Sequence, residues 1–156
     1  MTTPDNAVQS ILRTAIQREV DAYNLYTTAA KMVETAHVRE MLTDLGAQEA
    51  GHRAKLEALL KGRTFRALSR PQEKKVVDLR LTDYLVEEPL APDSDFQTVL
   101  IVAGKREKAS HDLYASMAQV AEDGETSKLF QFLASEELTH KNRVEKLYED
   151  LVLKDN

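Results

Sequence analysis

The chain has 156 residues, a formal net charge of −5 and no cysteine. This length suits one domain with a sizeable apolar core, and the 30% of charged residues is ordinary for a globular protein. The acidic balance argues against nucleic-acid binding, and the absence of cysteine excludes disulfides, thiolate zinc sites and cysteine-ligated iron–sulfur clusters.

The N-terminal residues and the hydropathy give an expectation about location. The first residues, Met1 to Asp5, carry no charged segment followed by an apolar run, so no signal peptide is expected. No apolar stretch reaches the length that a membrane span needs. A cytoplasmic protein without a membrane segment is therefore the expectation, and the lack of cysteine suits a reducing compartment.

Two long helices are predicted in the first half of the chain. Apolar residues recur at three- and four-residue steps over residues 6–34 and again over residues 37–61. Asp5 and Asn6 are suitable caps for the start of the first helix, and Gly62 is a suitable stop for the second. His37, near the start of the second helix, is expected at the surface.

The second half of the chain repeats this arrangement after a long connector. Residues 63–93 contain Pro71, Pro89 and Pro92 and are predicted to cross the bundle from one end to the other. Helices are predicted over residues 94–122 and 125–151, the last apolar position being Leu151. Gly124 is interpreted as part of the turn between them. The predicted fold is all-α: a four-helix bundle built from two pseudo-symmetric helical hairpins.

The two halves of the sequence match at a constant offset of 88 residues, without gaps. Apolar positions would match in any two amphipathic hairpins, but polar residues buried on the same stripes would not. The offset pairs glutamates, histidines and tyrosines: Glu19 with Glu107, Tyr26 with Tyr114, Glu49 with Glu137, and His52 with His140. We interpret this as an internal repeat.

Two copies of Glu-x-x-His carry the chemistry. Glu49 and His52, like Glu137 and His140, are three residues apart and therefore share one face of a helix. Glu19 and Glu107 lie on the apolar stripes of the other two helices. A Glu from each of two helices with Glu-x-x-His from each of the others is the ligand set of carboxylate-bridged dinuclear bundles.

Charge balance favours metal in this predicted core. Four buried glutamates need positive partners or must take up protons, and the stripes place no buried Lys or Arg beside them. Two divalent cations would balance four carboxylates, with neutral imidazoles completing the ligand set. Iron or manganese, or a mixed pair, suits these ligands better than zinc, which prefers four-coordinate sites with fewer carboxylates.

Four further residues are predicted near the six ligands. Tyr26 and Tyr114 lie two helical turns after Glu19 and Glu107; each hydroxyl either donates a hydrogen bond to a ligand of the opposite hairpin or is satisfied elsewhere in the core. Tyr23 and His111, which the repeat also aligns, flank the site, and His111 is interpreted as a neighbour rather than a ligand.

On these motifs the chain resembles the ferritin-like superfamily, and most closely the di-iron domain of the rubrerythrins, over nearly its whole length. The resemblance implies two non-haem iron ions held by six residues, which would serve as catalytic ligands: Glu19, Glu49, His52, Glu107, Glu137 and His140. It also implies peroxide reduction or ferrous iron oxidation, and a homo-oligomer, with a dimer as the first expectation.

The chain departs from the rubrerythrin pattern in two respects. Rubrerythrins carry a cysteine-ligated rubredoxin-type domain, whereas this chain has no cysteine, so an external donor such as a rubredoxin-like protein would have to supply electrons. Rubrerythrins also carry an additional glutamate three residues after the third-helix ligand, where this chain has Ser110. His52 is therefore interpreted as a fixed ligand rather than one that exchanges with that glutamate.

Peroxide reduction is the leading hypothesis and ferrous iron oxidation, or reaction with O2, the next. A ferritin-like protein for iron storage or handling and a metal-free structural bundle are the alternatives. Hydroxylation of an organic substrate is disfavoured, because so short and symmetric a bundle leaves little room for a substrate pocket.

Overall fold

The computed structural model describes residues 7–61, 90–121 and 123–153. These residues form four long helices, which we number α1 to α4: Ala7–Lys31, Ala36–Lys61, Phe96–Val120 and Gly124–Tyr148. A π-helical segment, Glu149–Leu153, follows α4. The prediction of an all-α four-helix bundle is confirmed. None of the helices within the described ranges has the length and apolar character that crossing a membrane requires.

The helices pack as two antiparallel hairpins, α1 with α2 and α3 with α4. Two apolar clusters form the core. One contains Leu12, Leu56, Leu113 and Leu133. The other contains residues further along α1 and α4 and earlier in α2 and α3, such as Leu45 and Leu100. On every helix the predicted ligands fall between the positions that build the two clusters, so a polar layer separates them.

Several helix boundaries differ from those predicted. Helix α1 ends at Lys31, three residues early, and the amide of Met32 donates to the carbonyl of Ala29 in a tighter final turn. Helix α2 begins at Ala36, one residue early. Helix α3 starts later than predicted, at Phe96, because the side chain of Asp95 accepts a hydrogen bond from the amide of Thr98 and caps it.

The second hairpin turn also differs from the prediction. Gly124 is the first residue of α4 rather than part of the turn, since Asp123 caps the helix through the amides of Glu125 and Thr126. Leu151 lies in the π-helical segment and is 36% exposed, so it does not extend the core stripe. His37 is exposed as predicted. Asp5, Asn6, Gly62 and residues 63–89 of the connector lie outside the described residues.

Candidate metal centre

The six predicted ligands meet in the polar layer between the two apolar clusters. All six are buried, none being more than 3% exposed: Glu19, Glu49, His52, Glu107, Glu137 and His140. They arrive from all four helices, because each lies on the inward stripe of its own helix at the same level of the bundle. The spacing that suggested a shared centre therefore corresponds to a single cluster of side chains.

The cluster divides into two overlapping groups of possible metal ligands. One consists of Glu19, Glu49, His52 and Glu137, and the other of Glu49, Glu107, Glu137 and His140, with the ligand atoms of each group within 4.8 Å of one another. Glu49 and Glu137 belong to both groups. If each group held one ion, Glu49 and Glu137 would contribute to both ions, and Glu19 and Glu107 would each contribute to one.

A short contact joins the histidine of each hairpin to the Glu-x-x-His glutamate of the other hairpin. His52 Nδ1 lies 2.7 Å from Glu137 Oε1, and His140 Nδ1 lies 2.7 Å from Glu49 Oε1. The two imidazole rings are stacked, with centroids 5.5 Å apart. Both Nδ1 atoms therefore face the carboxylates, which is the orientation that a metal ligand needs.

The donor atoms of this cluster are not satisfied by the protein alone. The buried atoms without a hydrogen-bond partner in the described part of the chain include three carboxylate oxygens and one ring nitrogen of the two donor groups: Glu19 Oε2, Glu49 Oε1, Glu107 Oε2 and His140 Nδ1. Buried polar atoms are almost always paired, and carboxylate oxygens and an imidazole lone pair are all electron donors. A pair of cations between them fits this arrangement, and oxygen-rich ligands with imidazole suit iron or manganese.

Burial also shifts the titration of these groups. It raises the pKa of Glu49 and Glu137 well above the usual carboxyl range, and the neighbouring carboxylates add to the effect. It raises the pKa of Glu107 to about 7. Burial, with His52 and Arg143 adding to it, lowers the pKa of His140 to about 3, so its imidazole is neutral and can donate a lone pair.

The two tyrosines donate hydrogen bonds to ligands of the opposite hairpin. Tyr26 Oη lies 2.8 Å from Glu107 Oε1, and Tyr114 Oη lies 2.6 Å from Glu19 Oε1. The sequence left open whether these hydroxyls donate to ligands or are satisfied elsewhere in the core, and in the structure they donate to ligands. Burial, followed by the nearby carboxylates, raises the pKa of both hydroxyls well above 10.0, which keeps them protonated as donors.

The other two flanking residues lie apart from the ligand groups. Tyr23 is 43% exposed, and its ring lies near Gly46 of α2. His111 is half-buried, and its Nδ1 lies 2.8 Å from the carbonyl oxygen of Ala134. Neither belongs to the two groups that could hold a metal.

The apolar stripes predict no buried cation beside the glutamates, but Arg18, which lies off them, lines the same cavity as Glu49, Glu107 and Glu137. Arg18 is only 8% exposed. Its long side chain starts beside Glu19, off the apolar stripe, and reaches α3, where Nη2 lies 3.3 Å from the Arg106 carbonyl oxygen and 3.5 Å from Ser110 Oγ. The 88-residue offset, which pairs Arg18 with Arg106, was the signal for this position in the sequence.

A small cavity adjoins the cluster between α1 and α3. Arg18, Ser110 and the carboxylates of Glu49, Glu107 and Glu137 contribute to its lining, and its accessible space is about 10 Å³. That is near the minimum for one water molecule. A molecule of about the size of water fits beside the ligands here, whereas an organic substrate cannot enter without rearrangement.

Comparison with known proteins agrees with this geometry. A family model described as Rubrerythrin matches residues 10–148, which include all six clustered donors. Comparison with curated proteins and with solved structures gave no match. The match spans most of the sequence and all four helices, so the chain belongs to the rubrerythrin family.

Proposed function

We propose that this protein reduces hydrogen peroxide to water at a centre of two non-haem iron ions. The observation that carries the proposal is the pair of overlapping buried donor groups beside a cavity of about 10 Å³. Four carboxylates and two imidazoles suit iron, and a cavity of this size is too small for an organic substrate. When bound, the two ions would together supply the two electrons that cleavage of one peroxide bond requires.

The protein side chains would hold, orient and charge-balance this centre. Glu49 and Glu137, which belong to both donor groups, would contribute negative charge to both ions. The Ser110 hydroxyl, which accepts from Arg18, keeps its own hydrogen for a molecule in the cavity. Reduction consumes two electrons and two protons per peroxide, so a donor protein must restore the electrons.

The test is anaerobic loading of the metal-free protein with ferrous iron, followed by hydrogen peroxide. We expect two irons per chain and one peroxide consumed for every two ferrous ions oxidised, with no growth of ferric mineral. Glu49→Gln should lose metal and peroxide consumption, because it removes a carboxylate that both groups share. Glu40→Gln, a change of an exposed carboxylate on the same helix, is the control.

Other results would point to the alternatives. Iron accumulation far beyond two ions per chain, with mineral visible by light scattering, would indicate ferrous iron oxidation and storage. A protein that binds no iron, and whose stability is the same with and without it, would be a structural bundle. The cytoplasmic location, the dimer and the rubredoxin-like electron donor are part of the proposal and need separate tests in cells and by size-exclusion chromatography.

A further inference from the structure

The two histidines of the centre differ on the side that faces away from it. His140 Nε2 lies 2.8 Å from Gln48 Oε1, within hydrogen-bond distance. His52 Nε2 lies 3.7 Å from Glu136 Oε1, beyond it. Gln48 and Glu136 occupy equivalent positions in the two halves of the repeat. The six ligands are therefore pseudo-symmetric, but the residues behind the two histidines are not: one makes a hydrogen bond and the other does not.

A chain of hydrogen bonds fixes the His140 ring. Gln48 Nε2 donates to Asp44 Oδ2 over 2.8 Å, and Arg143 Nη1 lies 3.3 Å from the same oxygen. A carboxylate accepts, so the amide nitrogen of Gln48 must face Asp44 and its carbonyl oxygen must face His140. That oxygen also accepts, so Nε2 of His140 carries the hydrogen. The neutral ring then presents the lone pair of Nδ1 to the centre.

No comparable chain fixes His52. The repeat-related positions of Asp44 and Arg143 hold Phe132 and Lys55. The Phe132 ring meets the His52 ring edge-on at 6.3 Å between centroids, and Lys55 Nζ lies 5.6 Å from the centre of the Phe132 ring. Within the described part of the chain, His52 Nε2 has no hydrogen-bond partner.

His52 is instead held through the nitrogen that must bind metal. Its Nδ1 makes a 2.7 Å hydrogen bond with Glu137 Oε1, and this nitrogen would have to give up the bond before it could bind an ion. The contact of the same length between His140 Nδ1 and Glu49 Oε1 is a close approach of two atoms without hydrogen-bond partners. Neither of these two atoms has a hydrogen bond to give up when it binds an ion.

We propose that the two metal positions fill in order, the His140 position first and the His52 position second, and that Gln48 sets this order. Gln48 is a positioning residue, since it orients His140 without touching the ions. The inference rests on the two-metal centre of the proposed function. Groups that hydrogen-bond to a ligand histidine typically change metal affinity about 10- to 100-fold, so the first ion should bind at least about tenfold more tightly than the second.

The test is a titration of the metal-free protein with Co²⁺ against a competing chelator, followed by the visible absorption of the bound ion. We expect two binding steps. His52→Ala should keep the tight step and lose the weak one, whereas His140→Ala should lose the tight step. A single step with two equal sites, or loss of the tight step in His52→Ala, would overturn the proposal.

Two matched variants test the role of Gln48. Gln48→Met keeps the length of the side chain but removes the acceptor, and should weaken the first step about 10- to 100-fold. Glu136→Met makes the same change at the repeat-related position and should leave the first step unchanged. Equal effects of the two variants would refute the assignment. Circular dichroism checks that both fold, and the wild-type and histidine-variant titrations decide the order independently.

The Co²⁺ titration also tests the order of filling separately from the proposed reaction. Co²⁺ binding requires no peroxide chemistry. Ordered binding in a protein that does not consume peroxide would therefore refute only the reaction. Peroxide reduction by a protein with two equal sites would refute only the order of filling.

Discussion

At the scale of single residues, the tyrosine hydroxyls tie the two hairpins together at the level of the ligands. Tyr26 reaches Glu107 and Tyr114 reaches Glu19, and both rings are almost wholly buried. Tyr26→Phe would leave a buried carboxyl oxygen without its donor. We expect the free energy of unfolding of the metal-free protein to fall by about 1–3 kcal/mol, the usual cost of such an unsatisfied group.

Urea denaturation followed by circular dichroism measures this effect, and Tyr114→Phe provides a second example. The control is Tyr23→Phe, since Tyr23 is 43% exposed and lies outside the donor groups. If Tyr23→Phe and Tyr26→Phe reduced stability equally, the hydrogen bond to Glu107 would not be the cause.

Spacing was enough to predict which six side chains meet, but not what surrounds them. Helical periodicity puts Glu49 and His52 on one face without knowledge of the partner helix. The contact of Gln48 with His140 and that of Arg18 with Ser110 depend on how the two hairpins pack together. Each joins residues that are 92 positions apart in the sequence. A long side chain that starts off the apolar stripe can still reach the core, and periodicity does not detect it.

At the scale of the helices, the sequence predicted each helix and its inner face but misplaced several ends. Periodicity continues past the point where a helix stops, because Val33 is still half-buried after α1 has ended at Lys31. The actual starts of α3 and α4 depend on the side chains of Asp95 and Asp123, each of which is one of several nearby residues able to cap.

Glycine inside α2 offers a stability test that leaves the ligands intact. Gly51 lies between Glu49 and His52, and a methyl group added there would have no atom within 4 Å apart from the helix itself and its immediate neighbours. Gly51→Ala should therefore raise the free energy of unfolding by about 0.5–1 kcal/mol, through the higher helix propensity of alanine.

Thermal and urea denaturation of the metal-free protein measure the gain, and the Co²⁺ titration checks that the ligands are undisturbed. Gly104→Ala is a matched comparison in α3, where the space around the added methyl group is equally open. A loss of stability in Gly51→Ala, but not in Gly104→Ala, would show that the backbone between the two ligands requires glycine.

At the scale of the whole molecule, the bundle places a layer of buried carboxylates between two apolar clusters. This layer is unfavourable for the metal-free fold, because burial penalises each charged carboxylate. Hydrogen bonds from the two tyrosine hydroxyls offset only part of that cost. The layer therefore makes the stability of the whole fold depend on pH, and we expect bound cations to increase that stability.

The direction of the pH dependence follows from the shifted groups. A carboxyl group whose pKa is raised on folding stabilises the fold below its ordinary pKa of 4.5, and this stabilisation is lost as the pH rises through the folded value, about 7 for Glu107. Glu49 and Glu137 act in the same direction. His140 acts oppositely: with its pKa lowered from 6.5 to about 3, it stabilises the fold above 6.5 and destabilises it as the pH falls.

Three carboxyl groups outweigh one histidine, so the metal-free protein should lose stability between about pH 5 and about pH 8, by about 1.4 kcal/mol per pH unit for each proton of net difference. Urea denaturation with chelator present measures this trend.

Bound metal requires deprotonated carboxylates, so the stabilisation by added Fe²⁺ should grow over the same interval. Glu107→Gln should make the metal-free profile shallower, because it removes one of the three shifted carboxyl groups. A metal-free protein that grows more stable with rising pH would contradict the protonated state of this layer.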